Sequence, residues 1–163
     1  MPSLVVVDPD PGTLGTIAAA ALEGHGYVVR VACAVATAIR TLQHKTFDCV
    51  LVDEDIEEAS NGQLGAELSR YPPQTVCLIV FSSSPTVSRL KALQRGAFEC
   101  IEKPCDPALL RLLVGRAIER VTLTRTTRAL LEEVEVANAE LREATTDRHQ
   151  QYAQAEGGQQ QQQ

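Results

Sequence analysis

The sequence predicts an α/β fold with three layers, in which helices cover both faces of a five-stranded parallel sheet. Four short apolar runs are continuous rather than alternating, which is typical of strands that are buried on both faces. Amphipathic segments with helix-start and helix-stop signals lie between consecutive runs. Strands that alternate with helices in this way indicate right-handed βαβ units.

The first half of the chain contains two strands and two helices. The first strand covers residues 4–7, and Asp10-Pro11 then combines a helix N-cap with proline at the first helical position. This helix is expected to stop at Gly24-His25-Gly26. A second strand at 27–31 and a helix at 34–45 follow.

The second half repeats the alternation three times. A third strand ends at Asp53, and residues 54–62 are expected to form an acidic loop. The remaining elements are a short helix at 62–69 broken by Tyr71-Pro72-Pro73, a strand to Ser82, a helix at 85–95, a strand to Lys103 and a helix that begins at Asp106-Pro107. The strand order does not follow from this pattern alone, and the flavodoxin-like order 2-1-3-4-5 is the common doubly wound solution at this size.

Beyond about residue 121 the composition changes, so we expect a domain at 1–120, a helical segment at 121–148 and a tail at 149–163. Apolar or small residues recur at alternating spacings of three and four, which indicates a heptad seam for a coiled-coil homodimer. A solvated single helix remains the alternative, because threonine and alanine occupy some seam positions. The Gln-rich tail is expected to be disordered. The seam residues are Leu123, Thr127, Leu130, Val134, Ala137, Leu141 and Ala144.

Composition excludes several classes of function. The net charge is −6 and no basic run is present, so we expect no direct nucleic-acid binding. No apolar stretch reaches the roughly 18 residues of a membrane span, and the N-terminus does not have the pattern of a secretory signal. The five cysteines have no C-x-x-C spacing, so reduced thiols are expected rather than a metal cluster. A cytoplasmic protein without membrane contact is therefore predicted.

Four polar side chains come at or just after the ends of predicted strands. These are Asp8, Asp53, Ser82 and Lys103. Ligands of open α/β sheets bind beyond the carboxyl ends of the strands, so these groups are expected to converge on one edge. Two carboxylates, a hydroxyl and an ammonium suit a phosphorylated carboxylate and a divalent cation.

The same residues give the chain a resemblance to the receiver domain of bacterial two-component response regulators over residues 3–120. The motifs that carry it are Val-Val-Asp and Val-Leu-Val-Asp at the ends of the first and third strands, Val-Phe-Ser-Ser at the fourth, Arg-Gly-Ala before the fifth and Glu-Lys-Pro at its end. An unrelated flavodoxin-like domain is the alternative at the level of fold.

The resemblance implies that Asp53 accepts a phosphoryl group from a histidine kinase or a phosphotransfer protein. Ser82 would bond the phosphoryl oxygen and start a conformational switch, and Lys103 would pair with the phosphorylated aspartate. Lys103-Pro104 is expected to be a cis peptide bond. The signal would then pass to a downstream protein target. No catalytic residue toward an external substrate is expected.

The resemblance also implies a Mg²⁺ site formed by Asp8, Asp53 and the backbone carbonyl of Asp55. Proline at position 9 replaces an acid that such domains usually place directly on the metal, so weakened Mg²⁺ binding is expected. Asp10 is a possible substitute ligand, although capping of the first helix is its simpler role.

Two further departures leave the function open. The loop after Asp53 is one residue longer than usual and richer in acids, and Cys100 occupies the position of the usual aromatic switch residue. The predicted function is a phosphorylatable receiver. The alternatives are a degenerate receiver that acts as a scaffold independently of phosphorylation and, less simply, an enzyme with an external substrate.

Overall fold

The structure is a computed structural model. It describes the backbone of residues 1–10, 14–70, 77–82 and 85–159, and the side chains of 1–10, 14–70 and 90–157. The chain divides into two compact units, Met1–Thr124 and Arg125–Gln163. The last four residues of the second unit are outside the described backbone. The expected helix start at Asp10-Pro11 and the break at Tyr71-Pro72-Pro73 involve positions outside the described residues.

A parallel sheet with the strand order β2-β1-β3-β4-β5 forms the centre of the first unit. In the described residues, strands and helices alternate along the chain, with two helices between β3 and β4. The elements are β1 (Ser3–Val7), α1 (Leu14–Leu22), a 3-10 turn (Glu23–His25), β2 (Val28–Ala32), α2 (Val35–His44), β3 (Cys49–Asp53), α3 (Glu54–Ala59), α4 (Gln63–Leu68), β4 (Cys77–Ser82), α5 (Pro85–Gln94), β5 (Glu99–Glu102) and α6 (Pro107–Gln159).

Helices cover both faces of the sheet, which confirms the three-layer α/β class. On one face, Leu4, Val6 and Leu51 pack with buried residues of α1 and the first turns of α6. On the other face, Val5 and Val50 pack with buried residues of α2 and α4. The residues of β1 and β3 alternate between these two cores, so the central strands are apolar throughout.

The expected loop at 54–62 is in fact mostly helical, and this prediction was wrong. Asp53 is the N-cap of α3, and its side chain accepts a hydrogen bond from the N–H of Asp55. Acidic residues in the first turn are favoured by the positive end of the helix dipole. Left-handed conformations at Asn61 and Gly62, with φ of 53° and 72°, then turn the chain into α4.

The last helix, α6, continues through Gln159, into the segment for which the sequence predicted disorder. Glutamine, alanine and glutamate are good helix formers, and the cost of extending an existing helix is small compared with starting one. In the second unit, several large apolar side chains of this helix are exposed; they are Leu130, Leu131, Val134, Val136, Leu141 and Tyr152. No helix in the described ranges has both the length and the apolar character that crossing a bilayer requires.

Candidate phosphoryl-acceptor site

The carboxyl edge of the sheet collects the polar residues that the sequence singled out. Asp8 follows the last residue of β1, Asp53 ends β3, Ser82 ends β4 and Lys103 follows β5. The register keeps these ends level, because Val7 pairs with Val52, and Ser82 with Glu102. The side chain of Ser82 is outside the described residues, so its expected contact with a phosphoryl oxygen stays a prediction.

Asp53 and Lys103 form an ion pair across this edge. The Nζ of Lys103 donates to Oδ2 of Asp53, and Oδ1 of Asp53 accepts the N–H of Asp55 at 2.9 Å. The side chain of Asp53 is 18% exposed and that of Lys103 is 34% exposed, so the carboxylate remains accessible at the surface of the edge. The Lys103-Pro104 peptide bond, which follows this lysine, is cis.

Asp8 is buried and holds the backbone that follows β1. Its Oδ1 accepts the N–H of Asp10 at 3.0 Å, and its Oδ2 accepts the N–H of Gly15 in the first turn of α1 at 2.8 Å. Only 4% of Asp8 is exposed. A Cβ at position 15 would lie 3.3 Å from both methyl groups of Val31, so glycine lets α1 approach the sheet closely. Asp8 therefore acts as a helix cap in this structure.

The described side chains do not fit the expected Mg²⁺ site. No three acidic, histidine or cysteine side chains among them are grouped so that they could hold a metal ion. Pro9 provides no oxygen from its side chain, and both oxygens of Asp8 already accept backbone N–H groups. Asp55 lies inside α3, where carbonyl groups point toward the C-terminal end of the helix and away from the capping side chain of Asp53. Asp10 is exposed, and the side-chain role expected for it involves positions outside the described ranges.

Cys105 lies close to this edge, next to the start of α6. Partial burial raises the pKa of its thiol above the ordinary value of 9.0, and the negative charge of Asp106 raises it further. Cys33, Cys49 and Cys100 are also free thiols, of which Cys33 is exposed. The expectation of reduced thiols in place of a metal cluster stays a prediction.

The sequence missed two buried acids among the described residues, Glu67 and Glu57, of which Glu57 holds the start of the next helix. Its Oε1 accepts the N–H of Gly65 in the first turn of α4 at 2.9 Å, and the residue is only 8% exposed. The sequence did contain a signal for the helix that carries it, because an N-cap aspartate is followed by acids and alanine. Burial of Glu57 depends on the packing of α3 against α4, which the local sequence does not specify.

Comparison with known proteins identifies the family. The profile of the Response regulator receiver domain matches residues 4–115. The chain belongs to the response regulator receiver family. This receiver is 30% identical over 131 residues to the alginate biosynthesis transcriptional regulatory protein AlgB of Pseudomonas aeruginosa, and the alignment covers 80% of this chain and 29% of AlgB. It is also 30% identical to the transcriptional regulatory protein GlrR of Escherichia coli, with 72% of this chain and 26% of GlrR covered.

Solved structures show the same fold. A response regulator receiver domain from Clostridium thermocellum superposes with a TM-score of 0.67 at 22% identity, and covers 76% of this chain and 99% of its own. NtrX from Brucella abortus superposes with a TM-score of 0.69 at 24% identity, over 80% of this chain and 29% of its own. The receiver thus spans less than a third of the length of the curated relatives it matches.

The expectation of no direct nucleic-acid binding is contradicted by these relatives. AlgB and GlrR are transcriptional regulatory proteins. A further relative is the DNA-binding transcriptional regulator NtrC of Rhizobium meliloti. It is 25% identical to this chain over 114 residues, and the alignment covers 70% of this chain and 24% of NtrC. The inference failed because net charge describes only the residues of this chain, whereas the alignments cover a minor part of those proteins.

Proposed function

We propose that Asp53 accepts a phosphoryl group from the phosphohistidine of a histidine kinase or a phosphotransfer protein. The observation that carries the proposal is the ion pair between Asp53 and Lys103 at the carboxyl edge of the sheet. In the transfer, an oxygen of Asp53 forms a bond to phosphorus, and the bond from phosphorus to the donor imidazole breaks. The electron pair of that bond returns to the imidazole nitrogen, which then takes a proton.

Lys103 has the clearest role in this chemistry. A carboxylate is a weak nucleophile, so phosphoryl transfer depends mainly on positioning and on neutralisation of negative charge. The ammonium of Lys103 already contacts one oxygen of Asp53 and would remain close to the added phosphoryl oxygens. We propose that the hydroxyl of Ser82, on the neighbouring strand, bonds a phosphoryl oxygen and so favours one of two conformations.

Receiver domains generally hold Mg²⁺ in their acidic pocket, where the ion neutralises charge. In this receiver the described donors do not make up such a set. We propose that Mg²⁺ binds weakly, and that Pro9 is the main reason.

Labelling with acetyl phosphate tests this function. We expect incorporation of one phosphoryl group, detected as a mass increase, and its loss in Asp53→Asn, whose amide keeps an oxygen for the N–H of Asp55. Asp55→Asn is the matched control, because it makes the same carboxylate-to-amide change at an exposed residue two positions away. Absence of labelling with and without magnesium chloride, in a folded protein, would rule out the phosphoryl-acceptor function.

A second function is favoured by the contacts of Asp8. A receiver in which the acid after β1, Asp8, serves as a helix cap could act as an interaction scaffold without being phosphorylated. In that case the Asp53–Lys103 pair would have a structural role. Binding of a partner that is equally strong for the wild type and Asp53→Asn would support the scaffold, whereas loss of binding in the variant under phosphorylating conditions would exclude it.

We propose that the output of this receiver is control of transcription, because its curated relatives are transcriptional regulatory proteins. The signal would pass from the receiver to a DNA-binding segment or to a protein target that carries one. Histidine kinases are the expected source of the signal. A change in the expression of a reporter gene that requires Asp53 would support this output, and an unchanged reporter in Asp53→Asn would contradict it.

We propose further that the helical segment at 121–148 pairs with a second copy as a coiled coil. Its seam includes Leu130, Val134 and Leu141, which are 56%, 56% and 70% exposed in the described unit. Burial of such side chains against a partner helix removes apolar surface from water. Sedimentation equilibrium should give a dimer for the wild type and a monomer for Leu130→Glu with Leu141→Glu. A wild-type monomer at all concentrations would leave the solvated single helix as the correct interpretation.

A further inference from the structure

A cavity of about 670 Å³ lies between helices α3 and α4 on one side and α5 on the other. Glu54, Glu57 and Glu58 line it from α3, and Lys91 of α5 and Arg95, which directly follows α5, line it from the other side. Cavities of roughly 300–1,000 Å³ are typical of small-molecule sites. Acidic and basic side chains thus enter one cavity from different helices.

One side-chain oxygen of Glu57, at the edge of this cavity, lacks a hydrogen-bond donor among the described residues. Its Oε1 accepts the N–H of Gly65, whereas its Oε2 is buried and has no hydrogen-bond partner among the described residues. A Cβ at position 65 would lie 3.1 Å from Oε1, so the missing side chain of Gly65 allows the carboxylate to sit this deep. Buried polar atoms in native proteins nearly always have a partner, so an unpartnered carboxylate oxygen that borders a cavity points to an occupant with a donor group.

The surroundings indicate what kind of occupant fits. A metal ion is disfavoured, because the described acids and thiols form no group of three that could coordinate one, and because Lys91 and Arg95 repel cations at the other side. An organic cation with N–H groups can satisfy Glu57 without octahedral coordination. An anionic group on the same molecule would be attracted to Lys91 and Arg95.

We propose that this cavity is a binding site for a small zwitterionic ligand of about the size of a dipeptide. Its cationic N–H group donates to Oε2 of Glu57, and its anionic group contacts Lys91 and Arg95. The site is separate from the Asp53–Lys103 pair and does not depend on phosphorylation. Because Asp53 is the N-cap of α3, a ligand held here would contact the helix that the phosphoryl acceptor caps.

Amide chemical shifts of the full chain, titrated with the dipeptide arginyl-glutamate, test the proposal. We expect saturable shifts at Gly65 and Ala92 with a dissociation constant below about 1 mM. Agmatine, which has only cationic groups, and glutarate, which has only anionic groups, should each bind more weakly. Glu57→Gln should raise the dissociation constant by about tenfold or more, because its amide presents a donor where the ligand needs an acceptor. Glu23→Gln, an equal change of charge outside the cavity, should not change it.

Two further variants keep the test decisive. If Glu57→Gln does not fold, the exposed pair Lys91→Gln with Arg95→Gln should weaken binding of arginyl-glutamate but not of agmatine. Binding should persist in Asp53→Asn, which separates this site from the phosphoryl-acceptor function. Absence of shifts at the cavity, shifts spread over the whole surface, or equal binding by the wild type and the cavity variants would each overturn the proposal.

Discussion

Replacement of Asp8 by asparagine tests whether this acid is a helix cap or a metal ligand. The wild-type carboxylate accepts two backbone N–H groups, from Asp10 and from Gly15. Asparagine has one carbonyl oxygen, and its amide nitrogen cannot accept a hydrogen bond. The oxygen is expected to stay with the buried N–H of Gly15, while the N–H of the exposed residue Asp10 turns to water.

The expected loss of stability follows from these contacts. Hydrogen bonds to a charged group contribute about 1.5–3 kcal/mol each, and the variant loses one such bond and the charge assistance of the other. We therefore expect the free energy of unfolding to fall by about 2–3 kcal/mol. For a unit of this size, that change corresponds to a decrease in Tm of roughly 6–12 °C. Urea unfolding followed by circular dichroism measures the loss.

Asp55→Asn is the control for this experiment. Asp55 is exposed in the first turn of α3, and its backbone N–H, not its side chain, makes the bond to Asp53. The free energy of unfolding of this variant should therefore fall by less than about 1 kcal/mol. If Asp8 were instead a metal ligand held close to Asp53, Asp8→Asn should stabilise the protein without metal, because it removes the repulsion between two carboxylates. An Asp8→Asn protein as stable as the wild type, or more stable, would refute the assignment of Asp8 as a cap.

Three other variants or labels probe the same edge of the sheet. Pro9→Asp should raise the affinity for Mg²⁺ about tenfold or more, because it restores a carboxylate at this position. Calorimetric titration measures the affinity, and an unchanged value would show that proline is not the cause of weak binding. Lys103→Met should slow labelling by acetyl phosphate at least about tenfold. The exposed control Lys45→Met should be labelled at the wild-type rate. Equal rates for the two variants would show that the ammonium of Lys103 does not take part in the transfer. Because the thiolate is the reactive form and the pKa of Cys105 is raised, its alkylation by iodoacetamide should be slow at pH 7 and still accelerating at pH 9.0. The exposed Cys33 should react first, and faster modification of Cys105 at pH 7 would contradict the raised pKa.

The sequence predicted which positions meet at this edge of the sheet, because their placement depends on where the strands end. Continuous apolar runs identify buried parallel strands, and the residue after each run must lie at the same edge. This reasoning placed Asp53 and Lys103 together although they are fifty positions apart in the chain. It could not give the contacts of Asp8, since those depend on how closely α1 packs against β2 at Gly15 and Val31.

The segment after Asp53 was harder to predict for a different reason. The sequence predicts a loop here because the segment is rich in acids and small residues. Their position directly after an N-cap makes a helix favourable, and Glu57 then becomes a buried ligand for the N–H of Gly65. The burial of a charged residue is a tertiary property, so no local pattern could have assigned it.

The balance of charge at Asp53 connects the two candidate functions. A phosphoryl group brings about two negative charges at neutral pH. Among the described side chains, the ammonium of Lys103 is the cation that contacts Asp53. The acids of α3 add negative charge close by, so the modified state needs a further cation. If Pro9→Asp increases both Mg²⁺ affinity and labelling, the missing charge is what limits phosphorylation, and this receiver is a weakened acceptor. If it increases Mg²⁺ affinity but labelling remains absent, charge is not the limit, and the scaffold function explains the retained pair of Asp53 and Lys103.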